Sequence, residues 1–159
     1  MQITIIAVGK IKEKYLTDGI SEYLKRLRPY ASVSVIEVAD EKAPESLSPA
    51  ERQNILAKEA AGILKNIDST MFLVALAIEG KMLSSEEFAA FFAEKALAGK
   101  SRIAFIIGGS LGLGEEILKR ADMKLSFSHF TFPHQLMRLI LLEQIYRAFK
   151  IIKGEPYHK

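Results

Sequence analysis

The residues able to do chemistry concentrate in the last third of the chain. Gly108-Gly109-Ser110-Leu111-Gly112-Leu113-Gly114 follows an apolar run and precedes an acidic helix start, so its main-chain N–H groups can come close to a ligand. No Gly-Lys-Ser/Thr follows at P-loop spacing, and Ile117 stands where a dinucleotide fingerprint needs its third glycine. The alternative is a tight strand-to-helix turn, although four glycines in seven residues exceed what such a turn needs. Gly108-Gly109-Ser110-Leu111-Gly112 also fits a G-x-S-x-G elbow, which makes a Ser110-dependent hydrolase the competing enzyme class. Its acid and base would have to be Asp122 and His129 or His134, which lie close to the serine in sequence and on no convincing strand ends.

The three histidines, His129, His134 and His158, match no familiar zinc spacing, and the chain has no cysteine to assist them, so no metal is expected. His134 beside Pro133 reads as a helix start. The closing Gly154-Glu155-Pro156-Tyr157-His158-Lys159 leaves a helix by glycine and proline, and then offers an aromatic ring and an imidazole that could stack on a base or move a proton.

Positioning these groups requires a scaffold, and the chain alternates strand and helix throughout. Strands are expected at Gln2–Val8, Ser32–Val38, Thr70–Ala77, Arg102–Ile107 and Lys124–Ser126. Helices are expected around Lys14–Leu27, from Ser48-Pro49-Ala50-Glu51 to about Asn66, from Ser84-Ser85-Glu86-Glu87 to about Ala98-Gly99, and from about His134 to Ile152, with a short one after the glycine loop. Both Ser48 and Ser84 carry the spacing of a capping box. Continuous apolar strands joined by helices argue for one α/β domain with a mostly parallel sheet and helices on both faces. Ligands of such sheets bind beyond the carboxyl ends of the strands, which would gather the loops at Ile78–Lys81, Gly108–Gly114 and Phe127–His134 into one pocket. For the phenylalanines of the last loop, plain core packing competes with a ligand role. The last helix is apolar on more than one face, so either a partner subunit covers it, with Ile140 and Ile145 near the contact, or it lies wholly inside its own protomer.

Composition sets limits on the function. With 49% hydrophobic and 26% charged residues the chain is a folded domain rather than a disordered one. No run approaches the roughly 18 apolar residues of a membrane span, and Met1–Val8 lacks the features of a signal peptide. A soluble chain in a reducing cytoplasm is expected. The net charge of +3 is small, but Arg138, Arg147, Lys150, Lys153 and Lys159 near one end and Lys10, Lys12, Lys14, Lys25, Arg26 and Arg28 near the other could meet phosphates; an ordinary solvated face is the alternative.

Five segments in order carry a resemblance: AVGK at Ala7–Lys10, VALAIEGK at Val74–Lys81, IAFIIGGSLGLGEEI at Ile103–Ile117, SFSHFTFPHQLMRLILLEQIYRAFKI at Ser126–Ile151, and the terminal PYHK. Together they span nearly the whole chain, which resembles the ribosomal large-subunit pseudouridine N3-methyltransferase family of the SPOUT class. The resemblance implies a C-terminal trefoil knot, an exception to the rule that chains do not thread. It also implies S-adenosyl-L-methionine bound in that knot, a homodimer, and methyl transfer to N3 of a pseudouridine in large-subunit (23S) ribosomal RNA.

Carried over by motif, the cofactor contacts are Leu76, Gly108, Phe127, Ser128, His129, Phe130, Thr131 and Phe132. The family often has Leu-Ser-x-Leu-Thr-Leu-Pro-His in the last loop; Phe127, Phe130 and Phe132 replace those leucines here, which preserves main-chain contacts and changes the packing around an adenine. Arg138 is expected to hold phosphate or negative charge on the uracil ring. Tyr157 and His158 are expected to position the base and accept its proton. A non-enzymatic RNA-binding protein of ribosome assembly is the third reading, separable from the first by its indifference to cofactor.

Overall fold

In β1 (Gln2–Val8), a run of apolar and β-branched residues, only Gln2 is exposed. Such a strand belongs in the middle of a sheet covered on both faces. The computed structural model, which describes all 159 residues, places it there. β2 (Ser32–Val38) pairs with it on one side and β4 (Arg102–Ile107) on the other. β3 (Phe72–Met82) lies beyond β4 and β5 (Met123–Ser126) beyond β3, so the order is β2-β1-β4-β3-β5 with every pair parallel.

Alternation along the central strands divides the core in two. Ile3, Ile5 and Ala7 of β1, with Ile103, Phe105 and Ile107 of β4, join the larger cluster under α1 (Lys14–Leu27), α3 (Ser85–Leu97) and α5 (His134–Lys153). Ile6 and Val8, with Ala104 and Ile106, face α2 (Pro49–Leu64) and the short α4 (Glu115–Arg120). Local signals set the helix starts. Ser84 and Glu87 form the full capping box, at 3.1 and 2.7 Å. Ser48 accepts from the Glu51 N–H at 3.2 Å with Pro49 at the first helical position, but the reciprocal bond from Glu51 is not made.

Two features differ from the sequence reading. The third strand does not stop at Ala77. Leu76 and Lys81 both stand opposite Leu125, so the chain leaves the ladder for four residues and returns to it. Gly80 permits the return, because a Cβ there would lie 2.7 Å from main-chain atoms of Lys124 and Leu125. The second difference is in α5. Leu141, Leu142, Ile145 and Ala148 have no exposed surface, being covered by the sheet and by α1 and α3 of the same protomer. Ile145 therefore lies in the protomer's own core and not at a partner contact, whereas Ile140 is half-buried. No helix is long and apolar enough to cross a membrane.

Candidate active site

The carboxyl ends of β3, β4 and β5 open into a cleft of about 430 Å³, within the size range of small-molecule sites. Three loops build it. After β4 the glycine loop folds back on itself, with the Gly112 N–H donating to the Gly109 carbonyl at 3.0 Å. A Cβ on Gly108 would sit 2.5 Å from the Gly112 carbonyl oxygen, so no other residue fits there without moving the loop. After β5 a turn is closed by hydroxyls: Ser126 Oγ donates to the Ser128 carbonyl, and the Phe130 N–H donates to Ser128 Oγ, both at 3.0 Å. The third wall is the four-residue excursion of β3.

Leu76, Gly108, Phe127, Ser128, Phe130, Thr131 and Phe132 all line this cleft, and of the eight residues carried over by motif only His129 does not. Phe127 and Phe132 are half-buried and pack on the larger core, which is the role that competed with ligand binding for them. Phe130, in contrast, is 78% exposed. Of the charged or titratable lining residues, Glu79 and His134 come from loops expected at the pocket, though neither was expected to contact the cofactor, whereas Arg52 was not expected there at all. Arg52 comes from the first turns of α2 and donates to the Leu111 carbonyl at 3.4 Å. That approach joins residues 59 positions apart, and nothing local marks it.

The three expected catalytic residues lie elsewhere. Arg138 is completely buried. Its Nη1 donates to Glu37 at 2.8 Å, and its Nη2 to the carbonyls of Val8 and Gly9 at 3.0 and 2.6 Å, while Nε has no partner. It ties the end of β1 to β2 from behind the cleft, and burial pulls its pKa down against the opposing pull of Glu37. Tyr157 and His158 are docked on the flank formed by α1, α3 and α5. The Tyr157 hydroxyl donates to Glu143 at 2.9 Å and lies 3.3 Å from the Tyr23 hydroxyl. Desolvation, then these two partners, raise its pKa. His158 Nε2 is 2.8 Å from Glu86 and Nδ1 is 3.2 Å from the Arg147 guanidinium. Arginine can only donate, so Nδ1 accepts and Nε2–H donates, and the docked imidazole has no free lone pair.

A serine relay is not formed. Ser110 is exposed with no imidazole in hydrogen-bond reach, and Asp122 accepts from the Leu73 N–H at 2.8 Å. No group of three or more His, Cys, Asp or Glu side chains is placed to hold a metal ion.

The arrangement is thus a pocket of main chain and apolar walls at the carboxyl edge of a parallel sheet, suited to a flat, partly apolar ligand. A solved structure described as "a probable methylase family protein from Haemophilus influenzae Rd KW20" has the same fold over 99% of this chain and 70% of that one, with a TM-score of 0.51 at 16% identity. Relatives named "Ribosomal RNA large subunit methyltransferase H" match over the full length of both chains: 67% identical in Carboxydothermus hydrogenoformans, 65% in Alkaliphilus oremlandii and 60% in Clostridium kluyveri. A family model described as "Predicted SPOUT methyltransferase" covers residues 1–158. With that match running through all five strands and all three cleft loops, the chain belongs to the SPOUT methyltransferase family.

Proposed function

We propose that this protein transfers a methyl group from S-adenosyl-L-methionine to N3 of a pseudouridine in large-subunit ribosomal RNA, as a homodimer in the cytoplasm. The observation that carries the reading is the glycine cleft, in which Gly108 has no room for a side chain and main chain faces the ligand space, in a chain whose full-length relatives are named for ribosomal RNA methylation. Those relatives support the substrate class, and the resemblance of the five segments supports the knot and the N3 position.

The cleft fits such a cofactor. Leu76, Phe127 and Phe132 supply apolar walls for a purine, and the main chain around Gly108 and along Ser128–Phe132 supplies the polar edge. His129, exposed and outside the lining, would contribute only through its main chain. When bound, the cofactor supplies a methyl group made electrophilic by a sulfonium. The chain's own contribution is to hold the base against the cleft and exclude water. Arg138 does this indirectly, by fixing the β1 end and Gly9 beside the site. Tyr157 and His158 lie outside their own cleft, so in this reading they hold the base at the cleft of the partner protomer.

Light scattering at micromolar concentration should give twice the protomer mass. Mass spectrometry of ribosomal RNA from a strain lacking the gene should show one pseudouridine methyl missing and restored by the plasmid-borne gene; an unchanged methylation pattern would defeat the proposal.

A further inference from the structure

N3 of a uracil ring is an imide nitrogen, flanked by two carbonyls. Its lone pair becomes nucleophilic only as its proton leaves, so a methyltransferase acting there needs a proton acceptor beside the reacting atoms. His158, docked as described, has both ring nitrogens engaged, one by Arg147 and one by Glu86. His134 differs in each respect. It opens α5, lines the cleft, is half-buried, and neither of its ring nitrogens has a hydrogen-bond partner in the protein.

We propose that a free ring nitrogen of His134 accepts the N3 proton during methyl transfer, an assignment that rests on the function proposed above. The N3 lone pair forms the new N–CH3 bond, the C–S bond breaks with its electron pair left on sulfur, and the N3 proton passes to the imidazole. One positive charge disappears from the sulfonium and one appears on His134, so charge is conserved within the cleft.

The surroundings keep the imidazole neutral before the reaction. Partial burial, and then the Arg138 guanidinium one helical turn along, hold its pKa below the usual imidazole value, while Asp40 from the β2–α2 segment pulls the other way. An ideal Cβ at Gly9 would lie 3.8 Å from His134 Nε2, 3.9 Å from Arg138 Nη2 and 3.9 Å from the Asp40 Cβ, so these groups share one small space. Glu37 is engaged by Arg138, and Glu79 and Arg52 are the other charged residues of the lining. A depressed pKa leaves the ring unprotonated and ready at neutral pH, and Asp40 is placed to stabilise the imidazolium as it forms.

The test uses the full-length protein and its His134→Asn and His134→Ala variants, with folding checked by circular dichroism and His134→Gln held in reserve. Both variants should bind S-adenosylhomocysteine within about threefold of wild type by calorimetry, and single-turnover methylation of ribosomes should fall about 100-fold or more. The wild-type rate should decline as pH drops through the His134 pKa; that acidic limb should vanish in His134→Asn and persist in His158→Asn. Added imidazole should restore part of the activity of His134→Ala. In the cofactor-free protein, the NMR signal assigned to His134 by its loss in the Asn variant should titrate below the usual imidazole value. An acidic limb that survives in His134→Asn overturns the assignment. So does a variant whose rate at saturation is unchanged while cofactor affinity collapses, since His134 is then only a wall of the cofactor site. A ring that titrates above the usual value removes the premise. Wild-type enzyme that methylates nothing would sink the function itself, whereas active wild type with an equally active His134→Asn sinks only the proton acceptor.

Discussion

At the strand ends, the loop after β5 is closed by Ser126, Ser128 and main chain, and the glycine loop by its own carbonyls, which leaves Phe130, Glu79 and His134 without partners at the cleft. Under the tail, hydrogen bonds run in one unbroken chain from Tyr157 through Glu143, Arg147 and His158 to Glu86, and Tyr146 packs edge-on against Tyr157 with ring centroids 4.9 Å apart. The first region holds its shape with backbone and keeps side chains in reserve. The second uses its side chains to hold the end of the chain on the domain surface. A bound molecule can enter the first without breaking anything, whereas a base held by the tail must replace contacts already made, so tail residues should affect turnover far more than cofactor affinity.

Deleting Tyr157–Lys159 should therefore have the largest effect, about 100-fold or more on single-turnover rate, with cofactor affinity close to wild type. Because Tyr157 is half-buried, the deletion should also cost on the order of 1 kcal/mol in urea unfolding. Equal loss of cofactor binding would erase the distinction between the two regions. Glu37→Ala comes next. It leaves the buried Arg138 charge without its carboxylate and should destabilise the fold by roughly 2–3 kcal/mol, less than for a fully enclosed pair because Glu37 is partly open to solvent. No change in the urea midpoint would mean that the two carbonyls alone satisfy the guanidinium.

Gly108→Val should weaken S-adenosylhomocysteine binding by at least about tenfold in a protein that still folds, since the added Cβ meets the Gly112 carbonyl. Undiminished affinity would move the cofactor out of this cleft. The smallest effect is expected behind the glycine loop. Glu59 is buried and accepts from the Glu41 N–H at 3.1 Å; burial raises its pKa against the lowering by that hydrogen bond, and the nearby Asp40 and Glu41 charges add smaller rises. A raised carboxyl pKa in the fold means that ionisation opposes folding as pH rises through the unfolded and then the folded value. Glu59→Gln keeps the acceptor and should add up to about 1 kcal/mol at pH 7, with the gain disappearing below about pH 4. A gain that persists in acid would mean that the charge is not its source.

Much of this was legible in the residues themselves. Five strands and five helices follow from periodicity and caps, because the groups involved lie within a few residues of one another; Ser84 with Glu87 and Pro49 after Ser48 are examples. Gly108 in its loop and the Phe127–Phe132 segment were assigned by motif, and the structure brings most of those residues to one cleft. The chain also lacks cysteine, which bounds the chemistry without any coordinates.

Only the tertiary structure decided which long-range partner each titratable group meets. Glu37 and Arg138 are 101 residues apart, and nothing around Arg138 marks it as sealed in the interior and not facing a phosphate. His158 was expected to accept a proton and His134 to start a helix, yet the fold engages both nitrogens of His158 and leaves those of His134 open. β3 resumes after Ala77 because Leu125 of another strand waits opposite Lys81. Local sequence sets dihedral preference and which face is apolar, since both depend on near neighbours. Protonation, burial and the identity of a free side chain depend on what the fold brings alongside, and no local pattern carries that.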